Sequence, residues 1–419
     1  MIDKLRRLRK KTAYPRMLLK LFLKALFHKR VIVHIGHYSH SEVAHGNVGD
    51  PVLFKELEKL IENISGSNYY WIPRSIIFHE INRLEVWIYN HFTSGILVGG
   101  HGLLMVDTGK NPNSGWQFNI KVENLKRIRV PMAFMAIGYN TFRGQPDFID
   151  VFREHINICI SNSKFFGLRN WGSIRALMPY VDNENKAKVM FQPCPTTMLT
   201  LYEDLPVVKK DKEIGICLAF DRYENRFGTI FDQLFDNLIL FAHRFESEGY
   251  KITFYAHTLT DLNHPNCVKF EKEGYVVETI SGLKFSDVFE WYMRKKLIVG
   301  MRGHSLMIPW GVGTPVVSLT TQNKQKWFME ITGHNERSIE VQDTQLLSKL
   351  YAEVDNILSN YDNEANEILK RQKEFYEISK NNIGKYAMGG GKTLIINELN
   401  IDCTNAISPF SNGKEEIAA

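Results

Sequence analysis

No stretch of this sequence reaches the roughly 18–20 uninterrupted apolar residues that a membrane span needs. Cysteine is scarce, with five in 419 residues (Cys159, Cys194, Cys217, Cys267 and Cys403), none in a C-x-x-C or Cys/His metal spacing. That argues against a disulfide scaffold and a zinc ribbon, and suits reduced core thiols in a cytosolic protein. A G-x-G-x-x-G fingerprint is missing, so no dinucleotide site is expected. Gly389-Gly390-Gly391-Lys392-Thr393 imitates the end of a Walker A loop, but Tyr386 stands where that loop needs glycine and no strand precedes it. Basic charge is also missing from most of the chain. The formal net charge is +6, yet residues 1–30 hold 11 Lys/Arg and one acid. The other 389 residues carry 41 basic and 45 acidic side chains, which removes the electrostatic support for nucleic-acid binding by the body.

What is present suits an ordinary globular enzyme. With 44% apolar and 23% charged residues, the chain can bury a core in each of two domains. In RMLLKLFLKALFHKR, Arg16, Lys20, Lys24 and His28 recur at i, i+4, i+8 and i+12. They predict an amphipathic basic helix within residues 1–30, suited either to the surface of an anionic membrane or to docking on the protein itself. Lys20 and Lys24 interrupt its apolar stretch and no small-residue cleavage site follows, so it is a poor signal peptide.

Beyond it, short apolar runs alternate with helical patterns. VIVHIG (31–36), GILVGG (95–100), PMAFMAIG (131–138) and NICIS (157–161) are the expected strands of a first half. A polar stretch at 196–212 is the expected linker. EIGICLAF (213–220), KITFYAH (251–257), VVETI (276–280), KLIVGM (296–301) and PVVSL (315–319) are the strands of a second half, with a helix at 231–249. Strands alternating with helices predict an α/β protein of two Rossmann-like domains, at 31–200 and 201–400, facing a cleft. Residues 401–419 are expected to be a disordered tail.

Four segments carry candidate chemistry. HGNVGDP places Asn47, Gly49 and Asp50 on a loop opening a helix, where backbone N–H groups can hold an anion or a sugar hydroxyl, with Asp50 alternatively only a cap. ILVGGHGLL places His101 in a glycine turn after a strand. FFGLRNWGS places Arg169 between a strand and a helix, suited to a carboxylate or phosphate. KLIVGMRGHSLM places Arg302 and His304 on the turn after a strand, and a following loop carries Lys324 and Lys326. Arginine pairs with oxyanions in a planar fork, lysine gives a point charge, and histidine carries a proton near neutral pH.

Taken in order from about Val31 to Val341, the N-x-G-D loop, the glycine turn at 99–102, Arg169, the strand-R-x-H-helix segment, Gly313-x-Pro315 and Lys324 resemble the polysaccharide pyruvyl transferase family. The resemblance implies a glycosyltransferase-B-like fold and phosphoenolpyruvate as donor, with no cofactor besides that co-substrate; the sequence itself shows no clear metal site. It implies Arg169, Arg302 and Lys324 as donor-binding residues and His304 as the catalytic acid. Asn170, where the family usually has Asp, His101 in place of a glycine, and Thr321 in place of an aromatic depart from the family pattern. Asn47, Asp50, His101, Trp116 and Gln117 are the candidate acceptor-binding residues. The expected partner is a glycan or lipid-linked sugar, without nucleic acid, at a cytoplasmic or peripheral inner-membrane location. A nucleotide-sugar glycosyltransferase of the same architecture and a non-catalytic scaffold of glycan assembly remain open alternatives.

Overall fold

A computed structural model describes residues 30–37, 42–76, 80–107 and 111–386, together with Leu19 and Leu23. The expected basic helix, the Walker-like decoy, the tail and Cys403 lie outside the described residues. Residues 1–389 group into one compact unit.

The first half holds β1 (Val31–Gly36), α1 (Gly49–Ser65), β2 (Tyr70–Ser75), α2 (Arg83–Phe92), β3 (Gly95–Gly99), β4 (Met132–Ile137), α3 (Val151–Asn162), β5 (Phe165–Leu168), α4 (Trp171–Leu177) and β6 (Val189–Phe191). The second holds β7 (Glu213–Leu218), α5 (Phe231–Ser247), β8 (Lys251–Ala256), β9 (Val277–Thr279), α6 (Phe285–Arg294), β10 (Leu297–Gly300), α7 (His304–Gly311), β11 (Val316–Thr320), α8 (Asn323–Thr332), β12 (Ser338–Glu340), α9 (Leu346–Ser359) and α10 (Tyr361–Tyr386). Shorter turns of helix are left unlabelled. The strands form two six-stranded parallel sheets, ordered β2-β1-β3-β4-β5-β6 and β12-β11-β10-β7-β8-β9. The central strands are buried along their whole length. A parallel strand covered by helices on both faces reads as a continuous apolar run, which is why these were recognisable.

In each sheet the strand order reverses once, between β1 and β3 and between β7 and β10. Ligands of open α/β sheets bind beyond the carboxyl ends of the strands at such a reversal. With both sheets presenting carboxyl ends to one cavity, this is the two-Rossmann, glycosyltransferase-B-like arrangement.

Three expectations need correcting. NICIS is not a strand. Phe152, Ile156, Cys159 and Ile160 are buried at helical spacing on α3, and the strand is the shorter Phe165–Leu168 that follows; the Ile-x-Ile-x-Ile alternation of 156–160 imitated a strand period. Strands β2, β6 and β12 were not anticipated; all three lie at sheet edges, where sequence pattern is weakest, and β2 contains Pro73, which an edge tolerates. The start of the expected linker is core, because Thr196, Thr197, Met198 and Leu199 are fully buried in two short 3-10 turns. The last helix, α10, returns to the first sheet, where Asn382 Nδ2 donates to Phe191 O at 2.9 Å and Ser379 Oγ accepts from Gln192 Nε2 at 2.9 Å.

Candidate active site

The cavity between the two sheets has a volume of about 340 Å³. Each sheet contributes through the loops at its reversal: Asn47 and Asp50 follow β1, His101 follows β3, Asp221 and Arg222 follow β7, and Arg302 and His304 follow β10. Arg169 comes from the β5–α4 junction and Lys324 from the first turn of α8. Sequence-predicted Asn47, Asp50, His101, Gln117, Arg169, Arg302, His304 and Lys324 therefore share one cavity. Two expectations do not hold. Trp116 is 1% exposed, and its indole donates to His155 Nδ1 at 3.0 Å within the first core, while its neighbour Gln117 takes the cavity side. Lys326 is exposed and does not line the cavity.

The cations differ in what already holds them. Arg302 is largely satisfied: Nε and Nη2 donate to Asp261 Oδ2 at 3.1 and 2.6 Å, and Nη2 also reaches Asp221 Oδ1 at 2.6 Å. Arg222 bridges the two halves to Asp107 at 2.5 and 3.1 Å, with its guanidinium 4.6 Å from the Phe142 ring centroid. Arg169, by contrast, is 3% exposed and has no carboxylate partner among the described residues; its Nε makes no hydrogen bond. It lies flush on Gly138, where a Cβ would come within 2.4 Å of its Nε. Lys324 likewise joins no ion pair among the described residues, and burial, followed by the charges of Arg169 and Arg226, holds its ammonium well below the usual lysine range. Four basic side chains against two acidic ones line the cavity, a surplus suited to a compact polyanion.

On the opposite wall, Asp50 Oδ2 accepts from Asn47 Nδ2 at 3.1 Å, and Oδ1 lies 3.4 Å from His101 Nδ1. His101 Nε2 accepts the backbone N–H of His37 at 3.1 Å, so its proton sits on Nδ1 and faces Asp50. Asp50 is not the cap of α1: Val48 occupies that position and Asp50 lies in the first turn. Burial raises the Asp50 carboxyl, but its His101 contact and the neighbouring imidazoles outweigh this and keep it ionised. His304 is 7% exposed with no partner on Nε2. Its ring lies against Gly49, where a Cβ would come within 2.1 Å of Nδ1. Burial, and next the Arg169 charge, push its pKa down to about 3. At neutral pH this imidazole is uncharged.

Residues missed at the sequence level include His37, Asn140, Phe142, Asp221, Arg222, Thr258 and Thr260, all on the cavity wall. Each lies one to a few residues past a strand identified from sequence, so the carboxyl-end rule would have found them. Asn170 is a cap, accepting the Ser173 N–H at 2.8 Å. Away from the cavity, His334, Glu364 and Glu367 bring three ligand atoms within 4.8 Å of one another, but both Glu364 oxygens are engaged by Arg337 at 2.7 and 2.5 Å. The four described cysteines are buried and unpaired.

These groups set the acid and alkaline limits of stability. Burial lowers His101 and His155 to about 4, and His304 to about 3. Each titrates near 6.5 when unfolded, so the native form holds fewer protons between about pH 4 and 6.5 and loses stability as pH falls through that window. Glu56 on α1 goes the other way, raised to about 8 by burial and then by the charge of Glu203, so its contribution is lost as pH rises from 4.5 towards 8. The melting temperature should peak near pH 6.5, and Glu56→Gln should flatten the alkaline limb alone. Calorimetry across pH 4–9 checks this; an unchanged alkaline limb in the variant would exclude Glu56 as its source.

A family model described as polysaccharide pyruvyl transferase matches residues 19–323. A search of curated proteins gives no match. Among solved structures, UDP-GlcNAc 2-epimerase from Neisseria meningitidis bound to UDP-GlcNAc is 11% identical, with 83% of this chain and 99% of that chain covered and a TM-score of 0.48. A putative UDP-N-acetylglucosamine 2-epimerase from Listeria monocytogenes is 13% identical, with 86% and 93% covered and a TM-score of 0.48. No described helix is long and apolar enough to cross a membrane.

Proposed function

The chain belongs to the polysaccharide pyruvyl transferase family, and from that premise we propose that it moves the enolpyruvyl-derived group of phosphoenolpyruvate onto a sugar of a surface polysaccharide or its lipid-linked precursor, forming a pyruvate ketal. The observation that supports this reading is the pair of basic side chains, Arg169 and Lys324, without an ion-pair partner among the described residues, beside the similarly unpartnered Nε2 of His304. A buried charge without a partner is costly, and a donor carrying both a carboxylate and a phosphate supplies what is lacking.

In the proposed reaction, Arg169 and Lys324 hold the donor anion, and Arg302 adds a cation whose direction is fixed by Asp221 and Asp261. A sugar hydroxyl adds to C2 of the donor while the C3 methylene takes a proton from His304 and becomes a methyl. The C2–O bond to phosphate then breaks. A second hydroxyl of the same sugar closes the ketal and gives up its proton, so two hydroxyl protons end, in net, on the methyl and the phosphate. Asn47, Asp50, His101 and Gln117 face the cavity from the first sheet and are proposed to orient the acceptor. Neutral His304 can serve as acid only after the donor's negative charge raises its pKa, so donor binding and proton uptake are coupled.

A peripheral position on the cytoplasmic face of a membrane, brought about by basic residues 1–30, goes with lipid-linked acceptors; sedimentation of the full chain with anionic vesicles checks it. The reaction class is tested by ligand-dependent melting. Millimolar phosphoenolpyruvate should raise the melting temperature by several degrees, with UDP and GDP inert. Stabilisation by UDP or GDP alone would instead mark a nucleotide-sugar glycosyltransferase.

A further inference from the structure

The amino ends of the first sheet lie opposite the cleft, and their charge is one-sided. Arg30 directly precedes β1, Arg129 lies three residues before β4, and Lys164 and Lys188 directly precede β5 and β6. All four are exposed. The ion pairs on this flank join Lys126 to Glu154 and Arg153 to Asp182; none of the four cations takes part in an ion pair among the described residues. Glu184, on the turn before Lys188, is the exposed acid nearest in sequence to the row. The sheet order sets β1, β3, β4, β5 and β6 side by side, and at about 4.8 Å per strand the row is roughly 20 Å long.

Beside it runs an apolar face. On α2, which runs from the carboxyl to the amino side of the sheet, Trp87 is 51% exposed, and its ring stands 4.7 Å from that of His91. Asn90, one turn on, ties this helix to the basic loop, donating to Arg127 O at 2.7 Å and accepting from Arg129 N at 2.8 Å. The sequence of residues 1–30, net +10 and interleaved with Leu and Phe, leads into β1 at this same edge.

We propose that this edge of the folded body is a docking surface for an anionic lipid bilayer, with Arg129, Lys164 and Lys188 over the headgroups and Trp87 at the interface. Charge complementarity points to a polyanion, and the exposed tryptophan singles out a bilayer, since a nucleic acid or acidic glycan in water would leave it uncovered. The cleft, at the opposite ends of the same strands, then faces away from the surface. This proposal is independent of the chemistry in the cleft.

The test compares full-length wild type with the triple variant R129Q/K164Q/K188Q and with W87A, by sedimentation with vesicles of phosphatidylglycerol and phosphatidylcholine or of phosphatidylcholine alone. Each basic residue near an anionic surface contributes about fivefold in partitioning, so the triple variant should bind anionic vesicles roughly 100-fold more weakly. W87A should bind several-fold more weakly, and both variants should keep the wild-type melting temperature. Wild-type binding by the triple variant would overturn the proposal, because residues 1–30 would then act alone. Equal binding to uncharged vesicles, or binding to neither kind, would overturn it as well.

Discussion

Arg169→Met should raise the melting temperature of the ligand-free protein by a few degrees while weakening phosphoenolpyruvate binding by roughly 10²–10³-fold. The two effects have one cause. The guanidinium is 3% exposed, lies against Gly138 and has no carboxylate beside it among the described residues. An ion withdrawn from water costs several kcal/mol unless it is paired, so an apolar side chain of similar length relieves that cost in the empty state. The same absence of a partner is what lets the arginine meet an incoming anion with its full charge, and truncating one side of a buried charged contact typically costs about 2–5 kcal/mol. Paired melting and titration measurements decide the matter. A variant that melts lower than wild type and binds the donor normally would make Arg169 a structural residue. Arg302 predicts the contrast: Arg302→Met takes from the buried Asp261 its cation, while Asp221 keeps Arg222 and Arg226, and should lower the melting temperature.

The second large effect concerns His304. His304→Gln should reduce kcat by about 10²–10⁴-fold, the usual contribution of a positioned proton donor, with a smaller change in KM. Because the free imidazole has its pKa near 3, the donor complex must gain about one proton where the bound-state pKa has risen above the working pH. The sign follows: a group whose pKa rises on binding takes up a proton, so affinity should strengthen as pH is lowered, approaching tenfold per unit between the free and bound values. Calorimetric titration in two buffers of different ionisation enthalpy measures the uptake directly, and His304→Gln should abolish it. Gly49→Ala offers an orthogonal perturbation, since the added methyl lands within 2.1 Å of the ring and must displace it, lowering kcat without touching an arginine. Full turnover in His304→Gln, or donor binding without proton uptake in the wild type, would remove His304 from the acid role.

Most of the framework was readable before any coordinates. The central strands read as short, largely apolar runs, because each is covered on both faces, and candidate residues on the loops past those ends, Asp50, His101, Arg169, His304 and Lys324, all reached the cavity. The losses were at the periphery. Edge strands such as β6 and β12 are three residues long and bury too little to leave a pattern, while α3 was misread over a few residues where isoleucines alternate. Within the site, Asp221 and Arg222 were passed over although they follow a recognised strand by one and two residues.

Chain order and local periodicity alone determined that two parallel sheets would present basic loops from strand ends, since strand, turn and helix preferences act over a few residues. The tertiary structure alone decided the state of each group. Arg302 is matched by carboxylates 81 and 41 residues away, Arg169 is left unmatched, His304 is stripped of its proton, and Trp116 is turned into the core while Gln117 faces the cavity. Desolvation and Coulomb energy depend on everything packed around a group, and that neighbourhood exists only once distant segments have met.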